Sequence, residues 1–294
     1  MSEFRCGTIC LVGRPNTGKS TLLNRLVGSK LSAVSPKAQT TRQLVRGILT
    51  TQDCQYIFVD SPGLQAAHRN QLHRMMNRRA TGALRDSDVV VLVLDARRFG
   101  EDDLSVTQKI EKDSKVIAVL NKIDLMPDRS RLLPMLDKIS GLREFLALVP
   151  VSARTGNGLD DLLSVLRQTL PAQPAVFAAG QLTDQDERFF ATEIFREKLF
   201  LKLGEDLPYR CEVVVDDFKE EGALRRIQMT VFVEREGQKA IVIGKQGAML
   251  KRISELARHD MEKLFGGKVF LSTWVKVRRG WSDNQRIMNQ FGQG

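Results

Sequence analysis

The stretch Gly13-Arg14-Pro15-Asn16-Thr17-Gly18-Lys19-Ser20 fits the pattern G-x-x-x-x-G-K-[ST], and no other segment restricts the possible folds so tightly. Before it, Thr8–Val12 is an apolar run of strand length; after it, Thr21–Gly28 carries apolar residues at helical spacing and closes on a glycine. Strand, glycine loop and helix in that order are the setting in which the motif works as a phosphate loop. The glycines let consecutive N–H groups point into one concavity, and the helix N-terminus adds its positive dipole end. Gly13, Asn16, Thr17, Gly18, Lys19, Ser20 and Thr21 are the expected phosphate-binding set. Lys19 is placed to reach the β- and γ-phosphates of a nucleotide, and the Ser20 hydroxyl to ligate Mg2+.

Around this loop, strand-like runs at 6–12, 44–50, 54–60, 88–94, 115–120 and 146–151 alternate with helical patterns at 19–28, 69–85, 101–113, 129–141 and 158–169. The alternation predicts an α/β domain over 1–170, with a mostly parallel six-stranded sheet covered on both faces. The runs 44–50 and 54–60, joined by Thr51-Gln52-Asp53, predict a hairpin and one antiparallel edge strand. Prolines and a glycine among small residues mark 171–183 as a linker. From 184 to 294 the pattern changes. It predicts an amphipathic helix Asp186–Leu203, strands Cys211–Phe218 and Leu224–Glu234, a segment Gln238–Ile243, a long helix to Phe265, a strand Val269–Val277 and a closing helix from Ser282. A chain of 294 residues accommodates two such domains.

Three more elements follow the loop at the ends of apolar strands. Asp60-Ser61-Pro62-Gly63 places an aspartate able to hold Mg2+ through a water, and a Gly63 N–H able to approach the γ-phosphate closely. In Asn121-Lys122-Ile123-Asp124 the Asp124 carboxylate can accept from the ring N–H and exocyclic amine of guanine. Adenine offers no such donor pair, which selects GTP over ATP. Asn121 is expected at the base N7, Lys122 over the ring, and a backbone N–H of Ser152 or Ala153 at the guanine oxygen. Between loop and hairpin, a threonine of Gln39-Thr40-Thr41-Arg42 can give its hydroxyl to Mg2+ and its N–H to the γ-phosphate. Thr41 is preferred to Thr40, although spacing alone does not decide. The metal set is thus Ser20, Thr41 and Asp60, and the catalytic candidates are Lys19, Thr41, Gly63 and Asn16. Leu64 stands where a glutamine could orient the attacking water, and Gln65 is one residue out of register, so slow intrinsic hydrolysis is expected. The Asn16 side-chain oxygen, with nearby carbonyls, is a candidate to hold K+ beside the phosphates.

These motifs, from Gly13–Ser20 with Pro15 and Asn16 to Asn121–Asp124, resemble the bacterial Era GTPases. Two small departures are Thr17 and Ser61, where the family pattern leads one to expect Val and Thr. Era joins its GTPase domain to a KH RNA-binding domain, and the tail fits. Ile241-Val242-Ile243-Gly244-Lys245-Gln246-Gly247 contains the G-x-x-G tetrad with which KH domains clamp single-stranded RNA. The order helix, strand, strand, helix, helix, strand is similar to an α+β type II KH domain. Ile243, Gly244, Lys245, Gln246, Gly247, Lys251, Lys276 and Arg278 are the expected RNA-binding set. Charge agrees with this reading, since residues 222–294 hold 14 Lys/Arg against 6 Asp/Glu, while 1–221 are nearly balanced at 31 against 29. Trp274 admits two readings, stacking on a base or packing, with packing the more ordinary; Trp281 reads as an anchor for the closing helix. The basic helix 69–85 reads either as a solvated surface or as a second RNA contact.

What the resemblance implies is a monomeric, cytoplasmic GTP-hydrolysing switch that uses GTP/GDP and Mg2+. Its implied partners are the 3′ end of 16S ribosomal RNA and the 30S subunit, whose assembly it assists, with no DNA partner. Two rival readings are an RNA chaperone whose nucleotide domain barely hydrolyses GTP, and a GTPase held peripherally on the inner face of the cell membrane by its basic tail. No run of 18 apolar residues exists, so no transmembrane segment is expected. The N-terminus enters the first predicted strand at once, so no signal peptide is expected. Cys6, Cys10, Cys54 and Cys211 are scattered, and with His68, His73 and His259 they make no zinc pattern.

Overall fold

In the computed structural model, which describes residues 3–35, 37, 40–64, 71–204 and 206–292, the strand leading into the phosphate loop, β1 (Arg5–Val12), lies inside a six-stranded sheet. The other strands are β2 (Val45–Thr50), β3 (Cys54–Asp60), β4 (Val89–Asp95), β5 (Val116–Asn121) and β6 (Ala147–Pro150). Their order is β2-β3-β1-β4-β5-β6, parallel except for the antiparallel edge pair β2–β3. The hairpin turn forms where expected, with Thr51 N–H donating to Cys54 O at 2.8 Å. β3, β4 and β5 are buried along their whole length, as strands covered on both faces must be. Because the parallel strands all run one way, the segments after Val12, Asp60, Asn121 and Pro150 meet at one edge of the sheet, where ligands of such folds sit.

The helices of this unit are α1 (Lys19–Val27), α2 (Gln71–Arg85), α3 (Glu101–Thr107), α4 (Leu132–Ser140) and α5 (Leu159–Thr169). Two are shorter than their patterns predict. α3 stops at Thr107 because Ile110 turns into the core and the Arg143 guanidinium collects the carbonyls of Ile110, Glu111, Lys112 and Ser114. α4 begins after a 3₁₀ turn, Arg129–Arg131, with Pro134 in its first turn, where no N–H partner is lost. The segment expected as a linker is tied to the sheet edge: Gln173 N donates to Phe4 O (3.2 Å), and the buried Gln55 Oε1 accepts from Val176 N and Phe177 N.

The chain divides into two compact units. The first comprises Met1–Ser32, Thr41–His68 and Met75–Asp184, and the second Ala33–Thr40, Arg69–Arg74 and Gln185–Gly294. In the second, a sheet ordered β7 (Glu212–Glu221), β8 (Leu224–Val233), β9 (Lys268–Val277) pairs β7–β8 antiparallel and β8–β9 parallel. Helices α6 (Glu187–Lys202), α7 (Glu236–Ile243), α8 (Ala248–Phe265) and α9 (Gln285–Gly292) complete it. α6 was expected to be amphipathic; instead Glu193, Arg196, Glu197 and Lys198 are buried with its apolar residues. Their charges are matched: Arg196 bridges Glu193 and Glu212, and Lys198 bridges Glu197 and Asp260. Val34 N donates to Glu197 Oε2 (3.2 Å) and Lys37 Nζ to Leu203 O, which ties these two residues to this unit.

Candidate nucleotide site and RNA-binding loop

The phosphate loop forms with backbone that its residue types permit. Asn16 is left-handed at φ 65° and Gly18 at φ 100°. A methyl group on Gly18 would lie 2.3 Å from Asn121 Nδ2, so the loop closes on the base-recognition strand only because residue 18 is glycine. Lys19 Nζ donates to Gly13 O (3.1 Å) and Arg14 O (3.0 Å) across the loop mouth. Both departures carry side-chain hydrogen bonds: Thr17 Oγ1 donates to Arg14 O, which a valine could not, and Ser61 Oγ to Leu11 O at 2.7 Å, as a threonine could too. Thr21 lies in the first turn of α1.

The three expected metal ligands converge. Ser20 Oγ donates to Asp60 Oδ2 (2.6 Å) and lies 3.0 Å from Thr41 Oγ1. Thr40 points elsewhere, to Ser35 Oγ and Lys37 O. Asp60 is fully buried, and burial raises its carboxyl pKa against the opposing pull of Lys19 and Ser20. Its Oδ1 has no hydrogen-bond partner, and the neighbouring Ser32 hydroxyl stabilises the ionised form without a bond of normal geometry. A buried, ionisable, unpartnered carboxylate oxygen beside two hydroxyls fits a hydrated divalent cation. Gly63 packs on the loop so closely that a methyl there would meet Pro15 at 2.8 Å. Leu64 is buried in the apolar core, so it presents no group to water. Gln65 and Gln39 lie outside the described residues.

At the base side, Asn121 Nδ2 donates to Thr17 O (2.9 Å), and its Oδ1 accepts from Lys122 N and Ala153 N. The backbone donors expected at the guanine oxygen are therefore both paired internally, Ala153 N–H to Asn121 and Ser152 N–H to Asn157 O. Asp124 accepts from Ser152 Oγ (2.6 Å) and from Arg154 (3.0 Å); burial alone would raise its pKa, but these partners hold it below the ordinary value. Lys122 is left-handed at φ 69° and bonds both Asn16 O and Asp95 Oδ2 (2.8 Å to the carboxylate). Asp95 was missed from sequence. Although burial opposes it, Arg97 and Lys122 hold Asp95 well below the usual carboxylate range. Arg154 and the Arg14–Asp103 pair (2.8 Å), which anchors the phosphate loop to α3, were also missed. An acid ending the apolar run of β4 was the only available signal, since Asp95, Asp103 and Arg154 belong to no spaced motif and Arg14 fills an unspecified position of one.

In the second unit the tetrad forms a tight loop between α7 and α8, with Gly244 at φ 73°, Gln246 at φ 51° and Gly247 at φ 81°. Lys245, Gln246, Lys251 and Lys276 are exposed and Ile243 half-buried. Arg278, by contrast, stacks over Phe291 (5.4 Å) and bonds Gln290. Trp281 is fully buried, donating to Arg210 O, whereas Trp274 is 45% exposed, so the packing reading fails for Trp274 and holds for Trp281.

Residues 8–122 match the family model for the 50S ribosome-binding GTPase, and residues 206–282 that for the KH domain. The chain is 49% identical to GTPase Era of Nitrosomonas eutropha over 99% of its own length and 98% of the relative's. It is 44% identical to GTPase Era of Coxiella burnetii, with 99% of both chains covered. An Aquifex aeolicus Era variant bound to GDP and aluminium fluoride superposes with a TM-score of 0.94 at 35% identity, covering 98% of this chain and 99% of that one. Era in complex with MgGDPNP and nucleotides 1506–1542 of 16S ribosomal RNA gives 0.94 at 34% identity, with the same coverage. Identity of 44–49% along the full length of Era GTPases, with the GTPase and KH models both matched, shows that the chain belongs to the Era family of GTPases.

Proposed function

We propose that this GTPase is a molecular switch that binds the 3′ end region of 16S ribosomal RNA and assists maturation of the 30S subunit. The observation that carries the switch is the convergence of Ser20, Thr41 and Asp60 on one point, because Thr41 belongs to a segment of irregular backbone whose contacts a bound Mg2+ and γ-phosphate would add to. Mg2+ would neutralise charge on the β- and γ-phosphates. Ser20 and Thr41 are the residues to ligate it directly and Asp60 through a water, while Lys19 and the loop N–H groups hold the phosphates. Asp124 reads guanine. Gly63 would approach the γ-phosphate, and Asn16 with nearby carbonyls would hold K+ where an arginine finger would otherwise act. Lys245 and the loop glycines clamp the RNA backbone, with Ile243, Gln246 and Lys251 completing the groove, whereas Lys276 stands on the face of β9 turned away from α8. The exposed Lys245 and Lys276 also suit a membrane surface, and among the described residues no helix is long and apolar enough to span one.

Phosphate release by the purified chain tests the enzymatic half. Slow turnover that disappears in Lys19→Ala is expected; unchanged release in that variant would assign the activity elsewhere. Crosslinking to RNA in cells, with the bound sequence read out, tests the RNA half, and recovery of 16S 3′ sequences is the expected result.

A further inference from the structure

β9 has two unlike faces. Val269 and Val275 are buried, and Thr273 Oγ1 lies 3.0 Å from Ser254 Oγ of α8, so the odd-numbered residues face the helices. Lys268, Phe270, Ser272, Trp274 and Lys276 face the other way, in the order basic, aromatic, polar, aromatic, basic. Phe270 is 54% exposed and Trp274 45%. β9 is an edge strand, and its single sheet neighbour β8 sets Arg226 over the Phe270 ring at 5.4 Å. α9 covers only the far end of this face, where Phe291 stacks on Phe232 at 4.7 Å. Two half-exposed rings on one strand face mark a surface kept for a partner.

We propose that this outer face of the second sheet is a stacking platform for unpaired RNA bases. It is distinct from the G-x-x-G loop, which joins helices lying on the opposite side of the same sheet. The proposal rests on the RNA-binding reading above and adds a second surface to it. Charge complementarity selects RNA over an apolar protein partner. The rings stand four residues apart, about 13 Å along an extended strand. Lysines bracket them at both ends, and that face of β9 carries no acidic side chain. Three acids of β7 are already engaged: Asp217 with Lys219 (3.4 Å), Glu221 with Arg226 (2.7 Å) and Asp216 with Thr230 (2.7 Å). Rings for base stacking between cations for the backbone are what single-stranded nucleic acid requires, and Ser272 between them offers a hydrogen bond.

The test measures affinity of the full chain for an unpaired RNA of about four nucleotides, enough for a G-x-x-G clamp, and for one of about fifteen. The Phe270→Ser/Trp274→Ser double variant should bind the short RNA like wild type and the long RNA roughly tenfold or more weakly. Lys245→Asp should weaken both. Long RNA should also quench tryptophan emission, and Trp274→Phe should abolish the quenching because Trp281 is fully buried. Thermal unfolding and GTP turnover of the double variant should match wild type, since both rings are exposed. Unchanged long-RNA affinity in the double variant, or quenching that survives Trp274→Phe, overturns the platform and leaves the face to a partner of another class. If wild type binds neither RNA, the RNA-binding reading fails first.

Discussion

Burial pushes the Lys19 ammonium down to about 8. Phosphate oxygens would raise it again, so above pH 8 nucleotide binding must take up a proton that it does not need below. GDP affinity should therefore be flat to about pH 7.5 and then weaken by up to tenfold per pH unit, a dependence absent in Lys19→Ala. Titrations at fixed Mg2+ between pH 7 and 9.5 check it; a flat profile would contradict the downward shift that burial gives Lys19. Asn16 carries the second residue-scale expectation, faster turnover in K+ than in Na+ with the difference lost in Asn16→Ala. Equal rates in the two salts would remove the cation site. What could be read from sequence at this scale were the spaced motifs: Lys19, Ser20, Asp60, Asn121 and Asp124. Thr41 and Thr40 were indistinguishable by spacing, and only the backbone path sends Thr41 to Ser20 and Thr40 to Ser35. Asp95 was invisible because its role comes from Lys122, which reaches it across two adjacent strands.

Among the elements, α6 shows what periodicity misses. Its charged residues read as a solvated face, but Arg196 is buried between Glu193 and Glu212. Arg196→Ala would leave two carboxylates buried without their cation and should cost about 3–5 kcal/mol in urea unfolding, far more than a surface ion pair. A loss under ~1 kcal/mol would mean that water enters this layer. The G-x-x-G loop makes a sharper comparison. A methyl on Gly244 would lie 2.6 Å from Met249 Cβ, whereas one on Gly247 meets nothing within 4 Å. Both positions have positive φ, so Gly247→Ala should cost about 1–2 kcal/mol of backbone strain, and Gly244→Ala clearly more, with loss of RNA binding. Thermal denaturation of both variants checks the order. Strand positions were legible because buried parallel strands are continuous apolar runs. Helix ends such as that of α3 were not, since a distant guanidinium, Arg143, decides them.

For the molecule as a whole, the change from an alternating pattern to the basic C-terminal segment announced two folds in one chain. The sequence pattern did not show that Ala33–Thr40 groups with the second unit while Thr41 belongs to the first, because that depends on contacts such as Val34 with Glu197. The chain thus passes from one unit to the other immediately before the residue proposed to ligate the metal, which gives nucleotide state a covalent route to the RNA-binding half. RNA affinity measured on the same preparation with GDP and with a non-hydrolysable GTP analogue, both with Mg2+ and K+, tests this coupling most directly. Clearly tighter binding with the analogue is expected, and Thr41→Ala should abolish the difference. Equal affinity in the two nucleotide states would contradict the switch.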